Sequence, residues 1–291
     1  MRFCRPRMPR QMSPLVTVVT LTYNSQRYVS DAISSVLGQD FEDFELLISD
    51  DCSTDDTLKI VRAFSDERVR TTTTNQNLGP AGNYAHAFRR ARGKYIAILN
   101  SDDLLLGGSL TRKISILEKD STIGVVHSNA LFIDGAGQAS ADSYFRSSVP
   151  DHRQERSKNF RRYLRSPNRV CFPTVVLRRS LLESAGGIDT SLPHTHDWEL
   201  MMRLAFWADF YYLSQPLLAY RRHSDNHSSQ FSLWSRTREE VRAKVAVVRR
   251  LSPHSEFPVA LLAPAVVASF AQKTRRYAAE RFGMARPPLE P

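Results

Sequence analysis

Two hydrophobic periods alternate along the first 130 residues. The run "LVTVVTLT" at 15–22 is rich in β-branched residues and reads as a buried strand. Val29, Ala32, Ile33, Val36 and Leu37 then follow the i, i+3, i+4, i+7 spacing of an amphipathic helix, with Ser25 as its expected cap. "FELLIS" at 44–49 predicts a second strand, and Ile60, Val61 and Phe64 a second helix. "RVRTTTT" at 68–74 is a weaker strand, Tyr84, Ala85, Phe88 and Ala91 mark a third helix, and "KYIAIL" at 94–99 is a fourth strand. This βαβαβαβ order implies a mostly parallel sheet with helices on both faces. Ligands then bind at the carboxyl ends of the strands.

The second half is less regular. Residues 123–134 predict strand pairs closing at the turn "DGAG", and 139–170 read as a mobile loop or short helices. A strand is expected at 172–178, a helix at 197–208, and a strand at 216–223. Residues 232–283 read as two helices broken near "LSPHSEFP". The expected organisation is a disordered basic tail at 1–13, one α/β domain at 14–230, and a C-terminal helical extension at 231–291. Within the domain, 14–130 form a nucleotide-binding half and 131–230 an acceptor-binding half.

Composition narrows the function classes. No run of about 18 apolar residues is present, and the basic start lacks the apolar stretch of a secretory signal. Three cysteines, Cys4, Cys52 and Cys171, form no CxxC pair, which argues for a reducing compartment such as the cytoplasm and against a zinc site. The net charge of +10 is unevenly placed, with ten Lys/Arg in 146–179 against Asp151 and Glu155. Such a segment is either a solvated surface or one that faces an anionic partner.

Polar clusters close three strands on one edge of the sheet. They are Thr22-Tyr23-Asn24, Asp50-Asp51 and Asn100-Ser101-Asp102-Asp103. Adjacent carboxylates repel, and a hard divalent cation bridging to phosphate removes that cost, although acids of a surface turn are the plainer reading of the pair alone. Asp50 and Asp51 can accept from a base N–H or a ribose hydroxyl, and Tyr23 can stack on a base. "NLGPAGN" at 77–83, with Asn77, Gly79 and Asn83, opens a helix where backbone can approach a ligand closely. Neither GxGxxG nor GxxxxGK[ST] occurs, so the set suggests a nucleotide-diphosphate pocket of another kind.

Three long segments carry a family resemblance: "VTVVTLTYNSQRYVSDAISSVLGQDFEDFELLISDDCSTDDTLKIV", "NLGPAGNYAHAFRRARGKYIAILNSDDLL" and "HDWELMMRLA". Over roughly 14–230 the chain resembles a family 2 inverting glycosyltransferase of the GT-A type, a Rossmann-like fold. The resemblance implies that Tyr23 flanks uracil, that Asp50 and Asp51 contact base and ribose, and that Asp102 and Asp103 contact ribose and a Mg²⁺ or Mn²⁺ bridging the diphosphate. It implies Asp197 as general base, with His196 where Glu is common. "YRRHSDNHS" resembles a segment closing over the diphosphate, with His223 either a metal or phosphate ligand or a solvated histidine. Trp198 is either an acceptor-facing aromatic or a core side chain, and Asp197 read by itself is also a helix N-terminal acid. Two departures stand out: Asn100 replaces the first acid of the family's acidic element, and Gly82 precedes Asn83 where many members have Arg.

The expected partners are a nucleotide-diphosphate sugar, most simply a UDP-sugar, and a saccharide or lipid-linked acceptor, with peripheral contact to an anionic membrane and no nucleic acid. A nucleotidyltransferase would need a basic, Gly-rich loop after the first strand, where "TYNSQRY" offers only Arg27. A non-catalytic sugar-nucleotide or glycan-binding module would have lost its base, yet Asp197 is present.

Overall fold

The computed structural model describes residues 13–145, 149–165, 170–223 and 233–254. The first half follows the predicted order: β1 (Val16–Thr22), α1 (Val29–Leu37), β2 (Phe44–Asp50), α2 (Thr57–Arg62), β3 (Val69–Thr73), α3 (Gly79–Phe88) and β4 (Tyr95–Asn100). A short β5 (Leu104–Leu105) and α4 (Ser109–Lys119) follow. Next come β6 (Ile123–Ile133), β7 (Ala139–Ser143), β8 (His152–Gln154) and α5 (Arg156–Arg165). The remainder is β9 (Val176–Arg178), α6 (Arg179–Ser184), α7 (His196–Trp207), β10 (Asp209–Arg221) and α8 (Leu233–Leu251).

The sheet runs β3-β2-β1-β4-β9-β6-β10-β5. β1 pairs in parallel with β2 and β4, and β2 with β3. β9 is antiparallel to both β4 and β6, so β4 and β6 point the same way, and β10 is parallel to β6. The ends of β1, β2, β4, β6 and β10 therefore share one edge. Strand pleating divides the core in two, because side chains alternate faces. Ile96 and Ile98 of β4 join the cluster under α3, α5, α6, α7 and α8. Tyr95, Ala97 and Leu99 join the cluster under α1, α2 and α4. The fold is the expected mostly parallel α/β sheet flanked by helices.

Several boundaries differ from the sequence expectation. Ser25 does not cap α1 through its side chain; the N-cap position is Tyr28, and Ser25 Oγ turns instead to Ser101 Oγ, 2.9 Å away. The last strand begins seven residues early, at Asp209, because Pro216 sits inside it at a register shift. Proline lacks the ladder N–H, so a bulge there is physically required. The strand expected at 172–178 opens as a 3₁₀ turn, Phe172–Thr174, since Pro173 presets a helical φ. Residues 139–165 hold β7, β8 and α5, with Phe160, Tyr163 and Leu164 buried. The second C-terminal helix and the tail at 1–12 lie outside the described residues. No described helix is long and apolar enough to cross a membrane.

α7 is buried almost all round, since α5 and α8 both pack on it. Inside it Glu199 and Arg203 form a sealed ion pair, Nε to Oε1 at 2.6 Å and Nη2 to Oε2 at 2.7 Å. Arg203 also donates to the carbonyls of Ala185 and Gly187. The pair ties the helix to the segment after α6, so it positions the helix N-terminus. Lys113 of α4 is a second buried cation, donating to Ser109 Oγ at 2.9 Å.

Two stability outcomes follow from these cations. Glu199→Ala leaves Arg203 buried without its carboxylate and should cost about 3–5 kcal/mol in urea unfolding. A loss below 1 kcal/mol would show that the pair is not sealed. Burial lowers the Lys113 ammonium from 10.5 to about 7. Between those values the unfolded chain binds the extra proton, so stability should rise with pH from about 7 to 10.5. The rise approaches about 1.4 kcal/mol per pH unit. Lys113→Met should flatten that slope in pH-dependent denaturation, and an unchanged slope would exclude Lys113 as its source.

Candidate active site

The carboxyl edge of the sheet gathers the predicted polar clusters. Asp50 is fully buried and spent within the protein. Its Oδ1 accepts from Thr22 Oγ1 at 2.8 Å and Ser53 Oγ at 2.6 Å, and its Oδ2 from Ser53 N at 2.9 Å. Thr22 is thereby spent as well. Asp51 accepts at Oδ1 from Thr74 Oγ1 and Leu78 N, each at 2.9 Å. Its Oδ2 has no hydrogen bond among the described residues, which leaves one carboxylate oxygen for a ligand. Tyr23 is 50% exposed beside this group, so its ring is available for stacking. Asn24 adopts a positive φ of 48° and accepts from Thr54 N at 2.9 Å, bracing the loop after β2.

The turn into α3 is more structural than expected. Gly79 takes a φ of 69°, and its N–H donates to Asn77 Oδ1 at 2.9 Å. Asn83 does not face a ligand: it is buried, and its amide closes a pair of bonds with Ser49. At Gly82 a side chain would be crowded, since a Cβ there would lie 2.6 Å from the Leu78 Cβ.

Asp102 and Asp103 have different environments. Asp103 is 1% exposed, and both its oxygens are engaged. Oδ1 accepts from the Arg221 backbone N–H and Oδ2 from Asn100 Nδ2, each at 2.9 Å. Burial, and then the Asp102 charge, push the Asp103 carboxyl well above the usual range, which the Arg221 and Asn100 bonds oppose. Asp102 is partly exposed, and its Oδ2 lies 3.1 Å from His223 Nε2. A carboxylate oxygen facing an imidazole nitrogen at the strand edge suits Mg²⁺ or, better, Mn²⁺. Among the described residues no group of three or more His, Cys, Asp or Glu is assembled as a metal cage. A hard cation bridging to phosphate needs only one or two protein ligands. Asp102 and His223 would supply them, and Asp103 would support the loop.

Sequence reasoning did not single out Arg221, Tyr28 or Tyr84. Arg221 closes β10, its Nε donates to the Asp102 carbonyl at 2.8 Å, and its guanidinium lies 4.5 Å from the Tyr28 ring centroid. The same ring packs 5.0 Å from His223. Tyr84, buried on α3, holds Asn100 Oδ1 at 3.4 Å and packs its ring 5.7 Å from His196. Burial raises the Tyr84 hydroxyl pKa, and the charges of Asp197, Asp103 and Asp102 raise it further. All three acids therefore lie within electrostatic reach of this one hydroxyl. The period-3.6 pattern assigned Tyr84 to the core, which is right for its ring and silent about its hydroxyl.

α7 opens at this place. Asp197 is half-buried in its first turn, with Oδ1 accepting from Trp198 N at 2.7 Å. Its neighbours are not ligand-facing. His196 is buried, Nδ1 lies 3.1 Å from the Pro193 carbonyl, and the ring rests against Tyr84. Trp198 does not offer a ring face to an acceptor: it is 3% exposed and packs in the core, with the Lys244 ammonium 5.5 Å from its ring. At about 3.6 residues per turn, residue 198 lies roughly 100° around the helix from 197, on a side that α8 covers.

Comparison with known proteins bears on this edge. The family model described as glycosyl transferase family 2 matches residues 17–185, more than half of the chain. A putative teichuronic acid biosynthesis glycosyltransferase, TuaG of Bacillus subtilis, is 37% identical over 110 residues, covering 37% of this chain and 44% of that one. The UDP-Glc:alpha-D-GlcNAc-diphosphoundecaprenol beta-1,3-glucosyltransferase WfgD of Escherichia coli is 38% identical over 107 residues, covering 37% of this chain and 42% of that one. The chain thus spans less than half the length of these two relatives. Among solved structures, S. aureus TarS 1-349 in complex with UDP-GlcNAc aligns with a TM-score of 0.70 at 21% identity, over 88% of this chain and 72% of that one.

The different surroundings of the two acids predict different variants. Asp103→Ala strips acceptors from one buried and one partly buried donor and should cost about 1–3 kcal/mol of stability. Asp102→Asn should stay within about 0.5 kcal/mol of the native protein. Equal losses in chemical denaturation would contradict the division between a supporting acid and a ligand-facing one.

Proposed function

The chain belongs to glycosyl transferase family 2, and from that premise we propose that it transfers a sugar, with inversion, from a UDP-sugar to a saccharide or lipid-linked saccharide acceptor in cell-surface polysaccharide or glycoconjugate synthesis. One observation carries this reading. A nucleotide-side edge, with Tyr23, Asp51, Asp102 and His223, meets the helix that opens with Asp197, and Tyr84 stands between them. Donor and acceptor can therefore meet at one edge, with the buried Tyr84 bracing the two parts from beneath. The UDP-GlcNAc complex of a protein with this fold supports a uridine donor. The diphosphoundecaprenol acceptor in the E. coli relative's name supports a lipid-linked one.

In this reading Tyr23 stacks on the base, and Asp51 accepts a hydrogen bond from base or ribose through Oδ2. Asp102 and His223 hold Mg²⁺ or Mn²⁺. That cation, when bound, neutralises charge on the departing nucleoside diphosphate. Arg221 and Asp103 keep the acidic loop in place without touching the ligand. The acceptor hydroxyl attacks the anomeric carbon from the face opposite the diphosphate. As the new C–O bond forms, the bond to phosphate breaks, and Asp197 takes the hydroxyl proton. A single displacement of this kind inverts the anomeric centre and needs no covalent glycosyl-enzyme. Contact with an anionic membrane fits a lipid-linked acceptor.

Asp197→Asn keeps the shape and the acceptor of the Trp198 N–H bond but cannot take a proton. It should bind UDP with Mn²⁺ normally and lose sugar transfer by about 10²–10⁴-fold, the usual worth of a positioned base. His196→Ala is the control, expected to retain transfer if the variant folds. Transfer that survives Asp197→Asn but not His196→Ala would move the base to the neighbouring residue, and transfer that survives both would end the inverting scheme.

A further inference from the structure

α5 presents a stripe of cations on its outer side. Lys158, Arg161, Arg162 and Arg165 recur at i, i+3, i+4 and i+7, and Arg156 precedes them. The opposite side, Phe160, Tyr163 and Leu164, is sealed into the core against α7. The helix cannot roll, so the stripe is fixed outward. Arg161 and Arg165 are exposed, and Lys158 pairs only with Glu155, at 2.8 Å between two highly exposed side chains. Such a surface pair is weak and does not remove the local field. From 152 to 165 the sequence carries six cations and this one acid, and of the six Arg153 is paired with Asp120 and Asp209.

An aromatic side chain lies by the N-terminal end of this helix. The Arg156 N–H donates to Asp209 Oδ1 at 2.7 Å, which sets the start of α5 beside the end of α7. There Trp207 is 38% exposed, and with Arg153 and Arg156 it lines an open cavity of about 560 Å³. The other large exposed apolar side chains among the described residues are Tyr23, Leu78 and Val245, none of which lines this cavity.

We propose that the outer face of α5, with Trp207 at its rim, docks the protein on an anionic lipid bilayer. Cations near such a surface each contribute about 1 kcal/mol of attraction. An indole beside them suits the headgroup level, where one end of the ring is apolar and the other wet. A single-stranded nucleic acid would instead need a row of exposed aromatics along a basic groove, and this face has one. Docking here deepens the reading of a lipid-linked acceptor and rests on it for its purpose. α5 packs on α7, so the bilayer would lie beside the layer that carries Asp197.

Cosedimentation of the whole protein with vesicles tests this directly. The native protein should pellet with phosphatidylcholine vesicles containing phosphatidylglycerol, not with phosphatidylcholine alone, and should release in high salt. Arg161→Glu with Arg165→Glu should weaken the partition at least about tenfold. Trp207→Ala should weaken it several-fold while the salt sensitivity stays. Circular dichroism checks the fold, and Arg161→Gln with Arg165→Gln serves if the charge-reversed protein does not fold. Hydrolysis of a UDP-sugar in solution, without vesicles, should be unchanged in these variants, so its loss in the native protein would strike the proposed reaction and not the docking face. No pelleting, equal pelleting on both vesicles, undiminished pelleting of the charge variants, or binding to an oligonucleotide but not to vesicles would each overturn the proposal.

Discussion

Asp103 is a carboxylate taken out of water next to another carboxylate, and the acidic edge depends on its being satisfied there. An unpartnered acid at that depth would cost several kcal/mol. Two partners offset part of that cost, the backbone N–H of Arg221 and the side-chain amide of Asn100, while burial and the Asp102 charge still hold the carboxyl above its usual range. Asn100 is local, three residues back in the chain, but Arg221 lies 118 residues further along it. The Arg221 bond is made where β10, running parallel to β6, ends beside the loop after β4. There Arg221 also grips the Asp102 carbonyl, and His223 arrives beside the Asp102 carboxylate. Asn100 in place of an acid is then intelligible. A third carboxylate would repel Asp103 where an amide donates to it.

The two halves of the sheet use different means to the same end. On the side of β1 and β2, local βα units place Tyr23 and Asp51, and Asp50 is consumed in joining β1 to the loop after β2. On the other side, placement is tertiary. The Glu199–Arg203 pair ties α7 to the segment after α6, α5 and α8 enclose it, and the N-terminal turn with Asp197 emerges at the acidic edge. Tyr84 is the joint between them. Its ring packs on His196 of α7 while its hydroxyl reaches Asn100 at the end of β4.

Legibility in the sequence followed this same division. β1 to β4 and their helices were readable because each is a continuous periodic run, and the acids at the strand ends sit where a parallel sheet binds ligands. α7 was readable to within a residue, and the family resemblance singled out Asp197. The second half was harder. Pro216 inside β10 imitates a strand start, and Pro173 turns an apparent strand into a 3₁₀ turn. α4 carries helical spacing in Leu110, Ile114 and Leu117 but has no place in the predicted order of elements. Trp198 and Asn83 could not be assigned from type alone, since whether a tryptophan or an amide faces ligand or core depends on packing from distant elements. Arg221 and Tyr84 carry no motif, and their importance appears only when three strands end together.

Calorimetric titration of UDP into the native protein, once with Mn²⁺ and once with EDTA, tests the central claim most directly. If the acidic edge is a nucleotide-diphosphate site completed by a cation on Asp102 and His223, UDP binds saturably with Mn²⁺ and far more weakly in EDTA. Binding of equal strength in both, or none in either, would contradict the account.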